Sequence, residues 1–199
     1  MANGKVYLNG EFLDPERARI SPMDRGFLFA DGVYEVIPAF NGVLFRLDAH
    51  LQRLERSLAE VSIANPHDRA GWRRLCEEMV AANGGGNLSV YLQITRGVAD
   101  KRDHAFPDPP VAPTVFLTSA PIPVPAADSL HQTRGAAAIT LADTRWARCD
   151  IKSISLLPNI LLRQQAVASG AVEAVLLREG LVTEGAASNV FTVHNGEVS

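Results

Sequence analysis

Lysine is scarce: the 199 residues hold three, Lys5, Lys101 and Lys152. Cysteine is scarcer, with Cys76 and Cys149 alone, too few for a disulfide framework or a zinc site, so reduced thiols and no metal are expected. Basic excess is missing too. A formal net charge of -3 argues against nucleic acid or an anionic membrane as partner, since either needs clustered Lys and Arg. No segment approaches the roughly 18 uninterrupted apolar residues of a membrane span. The opening Met1-Ala2-Asn3-Gly4-Lys5 has no apolar signal core, so a cytoplasmic location is expected. No internal repeat or low-complexity tract is present. What remains, 47% hydrophobic and 21% charged residues, suits an ordinary globular chain of one or two domains.

Turn chemistry and periodicity give the organisation. Asn9-Gly10 joins Val6-Tyr7-Leu8 to Glu11-Phe12-Leu13, and Asn41-Gly42 joins a run from Val33 to Phe40 to Val43-Leu44-Phe45, so each pair predicts a hairpin. Leu47, Leu51, Leu54, Leu58 and Val61 recur at helical spacing, which predicts a helix over about 48–62 with Asp48 as its N-cap and Arg53 off the apolar stripe. Trp72, Leu75, Cys76, Met79 and Val80 mark a second helix that ends at Gly84-Gly85-Gly86. Leu88, Val90, Leu92 and Ile94 alternate with polar neighbours as in a half-buried strand.

Proline stands at every second position in Pro121-Ile122-Pro123-Val124-Pro125, a pattern that continues neither sheet nor helix. The expected organisation is therefore a domain over 1–120, a linker over 121–128 and a second domain over 129–199. In the second domain Ala136 to Leu141 predicts a strand, Pro158 to Ser169 a helix stopped by Gly170, and Val172 to Leu177 a strand turning at Glu179-Gly180. Val190 to Val193 leads into Asn195-Gly196 with no return strand expected, and the second domain is expected to be truncated at Ser199.

Lys152 stands just before the apolar run Ile154, Leu156, Leu157, Ile160, Leu161, Leu162. An ammonium there must be paired or desolvated, and desolvation prepares a lysine amine as a nucleophile and Schiff-base former. The blander alternative is a lysine at the edge of a core with its head in water. Four segments, the lysine's own among them, bear on the choice. They are Asp24-Arg25-Gly26 with Asp31-Gly32-Val33-Tyr34-Glu35-Val36, Asp48-Ala49-His50-Leu51-Gln52-Arg53-Leu54, Cys149-Asp150-Ile151-Lys152-Ser153, and Thr183-Glu184-Gly185 running to Ser188-Asn189-Val190-Phe191.

In order and spacing these segments resemble the fold-type IV pyridoxal-phosphate enzymes, which include D-amino acid and branched-chain aminotransferases and aminodeoxychorismate lyase. The resemblance runs from about residue 4 to the end and implies a mixed α+β (α/β) fold of two domains. Arg96-Gly97 followed by Arg102-Asp103-His104 sharpens it toward D-amino acid aminotransferase. It implies Lys152 as the catalytic Schiff-base residue and proton shuttle, Glu184 as the carboxylate at the pyridine nitrogen, and Arg53 as the phosphate-binding guanidinium, with Ser188 and Asn189 beside the cofactor. That set answers the needs of pyridoxal 5'-phosphate: an amine, a carboxylate that keeps the ring nitrogen protonated, and cationic donors for phosphate.

The resemblance further implies that Tyr34, Arg102 and His104 trap the substrate carboxylate, the Arg-x-His pair reaching across from a second subunit of a homodimer. The implied reaction moves the amino group of a D-amino acid such as D-alanine to a 2-oxo acid, 2-oxoglutarate or pyruvate, in ping-pong order. Branched-chain transamination and the lyase reaction are the alternatives within the family, and a non-catalytic cofactor-binding protein is the one outside it. No role is assigned to Glu35, His50, His131 or Cys149, which are read as structural or exposed. The Gly-Ile-Thr segment that completes the family's phosphate cup does not occur in the sequence.

Overall fold

The computed structural model describes residues 4–123 and 135–198, so His131 and most of the expected linker lie outside the described residues. The chain divides into two compact units, Met1–Val124 with Asp150–Ser155, and Pro125–Cys149 with Leu156–Ser199.

The first unit is built on an antiparallel sheet. Its elements are β1 (Val6–Leu8), β2 (Glu11–Leu13), the short helix α1 (Arg25–Phe29), β3 (Gly32–Phe40), β4 (Val43–Leu44), α2 (Leu47–Glu60), α3 (Arg69–Ala82), β5 (Leu88–Thr95) and β6 (Thr114–Pro121). Strand order is β2-β1-β6-β5-β3-β4. Asn9-Gly10 and Asn41-Gly42 have positive φ at both positions, the conformation that matches a two-residue turn to the twist of its strands, and both hairpins form as expected.

Period-two alternation turns Val33, Ile37 and Ala39 of β3, and Leu88, Val90, Leu92 and Ile94 of β5, into one buried layer. Leu47, Leu51, Leu54 and Leu58 of α2 and Trp72, Leu75, Cys76, Met79 and Val80 of α3 cover it. The same alternation carries Glu35 into that layer and Tyr34 to the opposite side of the strand.

Two local expectations need correction. Arg46, in the left-handed region, caps α2, and Asp48 lies within the first turn, where its charge suits the helix N-terminus and pairs with Arg73. Pro121 does not break the sheet but ends β6 opposite Leu88. The β1 pairing reaches only Phe116 and Leu117, so that end of β6 has a free flank on which a missing N–H is tolerated.

The second unit contains β7 (Ala138–Ala142), α4 (Leu157–Ala168), β8 (Glu173–Arg178) and β9 (Leu181–Gly185), followed by β10 (Val193–His194) and β11 (Glu197–Val198). β7 and β8 are parallel, and β8 and β9 form a hairpin through Glu179-Gly180. Leu162 and Ala166 of α4 pack with Ala171, Ala174, Leu176 and Ala186, joined by Ile139 and Leu141. A further correction of detail falls here: Glu197–Val198 does return against Val193–His194, so the Asn195-Gly196 turn closes a short hairpin.

Candidate active site

Lys152 enters the first unit by strand addition. Above Ala39, β3 has one flank unpaired by β4, and the segment Asp150–Ser155 takes it. The Tyr34 amide donates to the Lys152 carbonyl at 3.0 Å, the Ile154 amide donates to the Gly32 carbonyl at 3.1 Å, and Val33 and Ser153 form an antiparallel bridge. Ile151 is buried in the sheet–helix core and the Lys152 amide faces the Ser57 hydroxyl of α2 at 3.3 Å. Gly32 is needed where β3 lies against β5, because a Cβ there would lie 2.5 Å from the Ile94 carbonyl oxygen, while toward the added segment it would meet the end of the Ile154 side chain at 3.0 Å. Registered in this way, Lys152 Nζ lies 4.2 Å from the centre of the Tyr34 ring, which in turn stacks on Tyr91 at 5.7 Å. Burial pushes the Tyr91 hydroxyl up to about 12, aided by Tyr34, so it stays neutral.

Arg53 projects from α2 toward β3. Glu35 accepts from its Nε at 2.6 Å and its Nη2 at 2.7 Å, and the His50 Nδ1 is 2.8 Å from the same carboxylate. Glu35 is fully buried. Burial opposes its charge, but hydrogen bonds from Arg53 and His50 outweigh that and hold its carboxyl below the usual range. The bond to Glu35 likewise raises Arg53. Beside it, Arg46, Ala49, His50, Gln52, Arg53 and Arg56 line a cavity of about 290 Å³. Three guanidiniums around one recess favour a dianion.

Arg102 and His104 are exposed and gather at Phe29, with the Arg102 guanidinium 4.8 Å and the His104 ring 5.2 Å from its centre. Behind them Asp31 is shared by two buried arginines: Arg25 Nε and Arg96 Nε each donate to its Oδ2 at 2.8 Å. Burial opposes the Asp31 charge, but the bonds from Arg96 and Arg25 prevail and lower its pKa. Arg96 also donates to the Val61 and Ser62 carbonyls just past α2, and Phe106 lies 3.6 Å over its guanidinium.

In the second unit Glu184 of β9 is bonded by the buried guanidinium of Arg145. Arg145 also donates twice to Asp143, which accepts from the Thr183 hydroxyl at 2.9 Å and lies 3.1 Å from Arg178. The hydrogen bond from Arg145 drives Asp143 far below the usual carboxylate range, and the bond to Asp143 raises Arg145 in turn. Arg145 is thus fixed on one side by a permanent anion and offers its other side to Glu184. The Ser188 hydroxyl donates to Glu173 at 2.7 Å, and Asn189 is exposed in the following loop.

Within the first unit, Lys152 meets Tyr34, and Arg102 meets His104 through Phe29. Arg53 is held by Glu35 and His50, two residues that the sequence alone presents as structural or exposed. In the second unit Glu184 has Arg145 as its partner, a residue to which the sequence alone gives no role. Signals for these do exist: Glu35 falls on the apolar parity of β3, so it needs a buried cation, and His50 and Arg53 share a helix face at i, i+3.

Residues 32–199 match the family model described as Amino-transferase class IV. The chain belongs to the class IV aminotransferases. D-alanine aminotransferase of Staphylococcus epidermidis is 41% identical over 194 residues, covering 98% of this chain and 67% of that protein. D-alanine aminotransferase of Bacillus licheniformis is 42% identical over 187 residues, covering 94% and 64%. This class IV aminotransferase chain therefore spans about two-thirds of the length of the curated relatives it matches. Among solved structures, a T.th. branched-chain amino acid aminotransferase complexed with N-(5'-phosphopyridoxyl)-L-glutamate superposes with a TM-score of 0.84 at 25% identity, over 98% of this chain and 66% of that one. A hypothetical aminotransferase from Mycobacterium tuberculosis in its PLP-bound form gives 0.77 at 25% identity, over 96% and 68%. The fold-type IV resemblance, the mixed α/β fold and aminotransferase chemistry with pyridoxal phosphate are thereby borne out.

The residues present fit that cofactor. Groups of the kinds it calls for are present in each unit taken by itself: an amine on Lys152 and a cationic recess at Arg53 in the first, and in the second a carboxylate on Glu184 bonded by an arginine.

Proposed function

We propose that this chain transfers the amino group of D-amino acids, D-alanine foremost, to a 2-oxo acid such as 2-oxoglutarate, with pyridoxal 5'-phosphate as cofactor. One observation carries the proposal: the only lysine of its region is laid along the free flank of β3 with its amine over the Tyr34 ring. Lys152 holds the cofactor through its amine and takes the proton from the substrate Cα. Arg53 donates to the phosphate, Glu184 partners the pyridine nitrogen, and Ser188 and Asn189 lie alongside. Bound pyridoxal phosphate supplies the electron sink that stabilises negative charge at Cα. Tyr34, Arg102 and His104 hold the substrate carboxylate and so choose which face of Cα is turned to Lys152.

The relatives named D-alanine aminotransferase, at 41–42% identity, support the D-amino acid end of this reading. The exposure of Arg102 and His104 supports a site shared between two copies in a homodimer. A cytoplasmic enzyme agrees with two unpaired cysteines and with helices none of which, among the described residues, is long and apolar enough to cross a membrane. The second reading, an enzyme for branched-chain L-amino acids, is favoured by the branched-chain aminotransferase structure named above. The deciding measurement adds D-alanine or L-leucine with 2-oxoglutarate to the protein carrying pyridoxal phosphate and follows the cofactor's visible absorbance and the oxo acid formed. Pyruvate from D-alanine, lost in Lys152→Ala, is the expected result. Turnover of L-leucine alone moves the assignment to the branched-chain reading, and full activity in Lys152→Ala ends both.

A further inference from the structure

We infer that Arg25 is a positioning residue for substrate recognition: from within the fold it moors the loop that presents Arg102 and His104. This rests on the proposed role of that pair in holding the substrate carboxylate. Arg25 is buried, and its side chain is spread over four acceptors. Nε donates to Asp31 at 2.8 Å, Nη1 to the Asp103 carbonyl at 2.5 Å and the Ala105 carbonyl at 3.2 Å, and Nη2 to the His104 carbonyl at 3.3 Å. Three consecutive carbonyls of an exposed loop are thus gripped by one planar fork, which lysine's single ammonium cannot reproduce. The loop has no regular ladder of its own, so its backbone is held by this grip together with the bond from the Ala105 amide to Asp103 Oδ1 at 3.2 Å.

The side chains of the loop are fixed from the same place. Phe29, at the end of the helix that Arg25 begins, has the Arg25 guanidinium 4.9 Å, the Arg102 guanidinium 4.8 Å and the His104 ring 5.2 Å from its ring centre. Asp24 caps that helix through the Gly26 amide and is itself held by the Thr95 and Thr114 hydroxyls, which ties Arg25 to the sheet. Asp31 is one anion shared by two guanidiniums, Arg25 and Arg96, and Asp24 is a second buried carboxylate beside them, so the base beneath the loop is a charge-balanced network that holds Arg25 in place. Asp103, on the loop itself, is occupied by Lys101 at 3.1 Å. A carboxylate arriving at Arg102 and His104 meets a pair whose geometry is set before it binds.

The test compares Arg25→Gln, Phe29→Leu and Arg102→Ala in the intact protein carrying pyridoxal phosphate. Arg25→Gln is expected to raise KM for D-alanine about tenfold with kcat little changed, the signature of a weakened binding group that does not take part in the chemical step. Turnover of D-alaninol, which lacks the carboxylate, stays at the level of the unsubstituted protein, and amide exchange quickens in residues 100–106 but not in α2 or β5. Phe29→Leu removes the ring that Arg25, Arg102 and His104 share and is expected to move KM the same way by a smaller factor, and an unchanged KM there would overturn the mooring even if Arg25→Gln does not fold. Equal losses on D-alanine and D-alaninol, or an unchanged KM with slow loop exchange, overturn the role of Arg25. If Arg102→Ala leaves KM for D-alanine unchanged, the carboxylate reading itself falls. If Arg102→Ala raises KM and Arg25→Gln does not, only the mooring falls.

Discussion

The amine of Lys152 lies 4.2 Å over the Tyr34 ring while the backbone amide of Tyr34 holds the Lys152 carbonyl, so one residue positions both ends of the other. The ring contributes a cation–π attraction of about 0.5–2 kcal/mol. Replacing Tyr34 by Leu leaves the backbone bond and removes the ring, and should lower kcat/KM for D-alanine by at least about two- to thirtyfold. Tyr34→Phe keeps the ring, so its loss isolates the hydroxyl. Steady-state kinetics on both variants check this, and equal losses would mean that the ring does not position the lysine.

Glu35 ties Arg53, the arginine proposed to bind phosphate, to the sheet and should do so in a pH-dependent way. Breaking a buried ion pair costs about 3–5 kcal/mol, and since the Arg53 side chain is 39% exposed a smaller loss of about 1–3 kcal/mol is expected for Glu35→Gln. The Glu35 and Asp31 carboxyls are both lowered in the fold, so the folded protein binds fewer protons than the unfolded chain once the latter begins to protonate. Their stabilisation is therefore full above the ordinary carboxylate pKa of about 4 and is lost as pH falls below it. Thermal melts from neutral to acid pH should show the two proteins converging, with Glu35→Gln starting lower and falling less. Glu35→Gln should also bind pyridoxal phosphate more weakly, read from the cofactor absorbance on dilution. Parallel melting curves would exclude Glu35 as the titrating group.

Arg145 is the corresponding support in the second unit. Its side chain and that of Asp143 are almost fully enclosed, whereas Glu184 on β9 is 41% exposed. Arg145→Gln leaves Asp143 as a buried anion with the half-exposed Arg178 as its remaining cation, and should cost about 2–4 kcal/mol in urea unfolding. Arg145→Lys keeps a charge but not the fork and should recover only part of that loss. Full recovery by lysine would show that charge alone, without the paired geometry, holds Asp143 and Glu184.

What can be read from the sequence is what sequence-local physics decides. The Asn-Gly turns, the leucine spacing of α2 and the alternation of β5 depend on neighbours a few residues away, and they appear where expected. Lys152, Glu184 and Arg53 are singled out by the family resemblance of the segments that hold them rather than by any local rule. Hidden from view are partnerships set by long-range pairing. Asp31, already bonded to Arg25, reaches Arg96 across 65 positions, and Asp150–Ser155 lies on a strand more than a hundred residues earlier. Asp48 has the residue type of a cap, but the hairpin return into Phe45 already sets the backbone so that Arg46 begins the helix. Proline at Pro121 suggests a break, whereas its cost depends on whether a second strand needs its N–H.

The two cysteines should differ sharply in reactivity. Cys76 is buried among the side chains of α3, and that burial pushes its thiol up to about 12, so almost no thiolate exists near neutral pH. Cys149 is exposed, three residues before Lys152, with its sulfur 3.1 Å from the Trp146 carbonyl. An aromatic disulfide reagent should therefore titrate one thiol per chain quickly in the native protein and the second only on unfolding, and Cys149→Ser should remove the fast phase. Because Cys149 belongs to neither the lysine's strand pairing nor the Arg145 network of bonds, Cys149→Ser should leave amino transfer from D-alanine intact. Two fast thiols in native protein would mean that α3 opens from the sheet on the reagent's timescale. That opening would expose the layer against which α2 fixes Arg53, so the thiol count also tests how firmly the proposed phosphate side of the site is built.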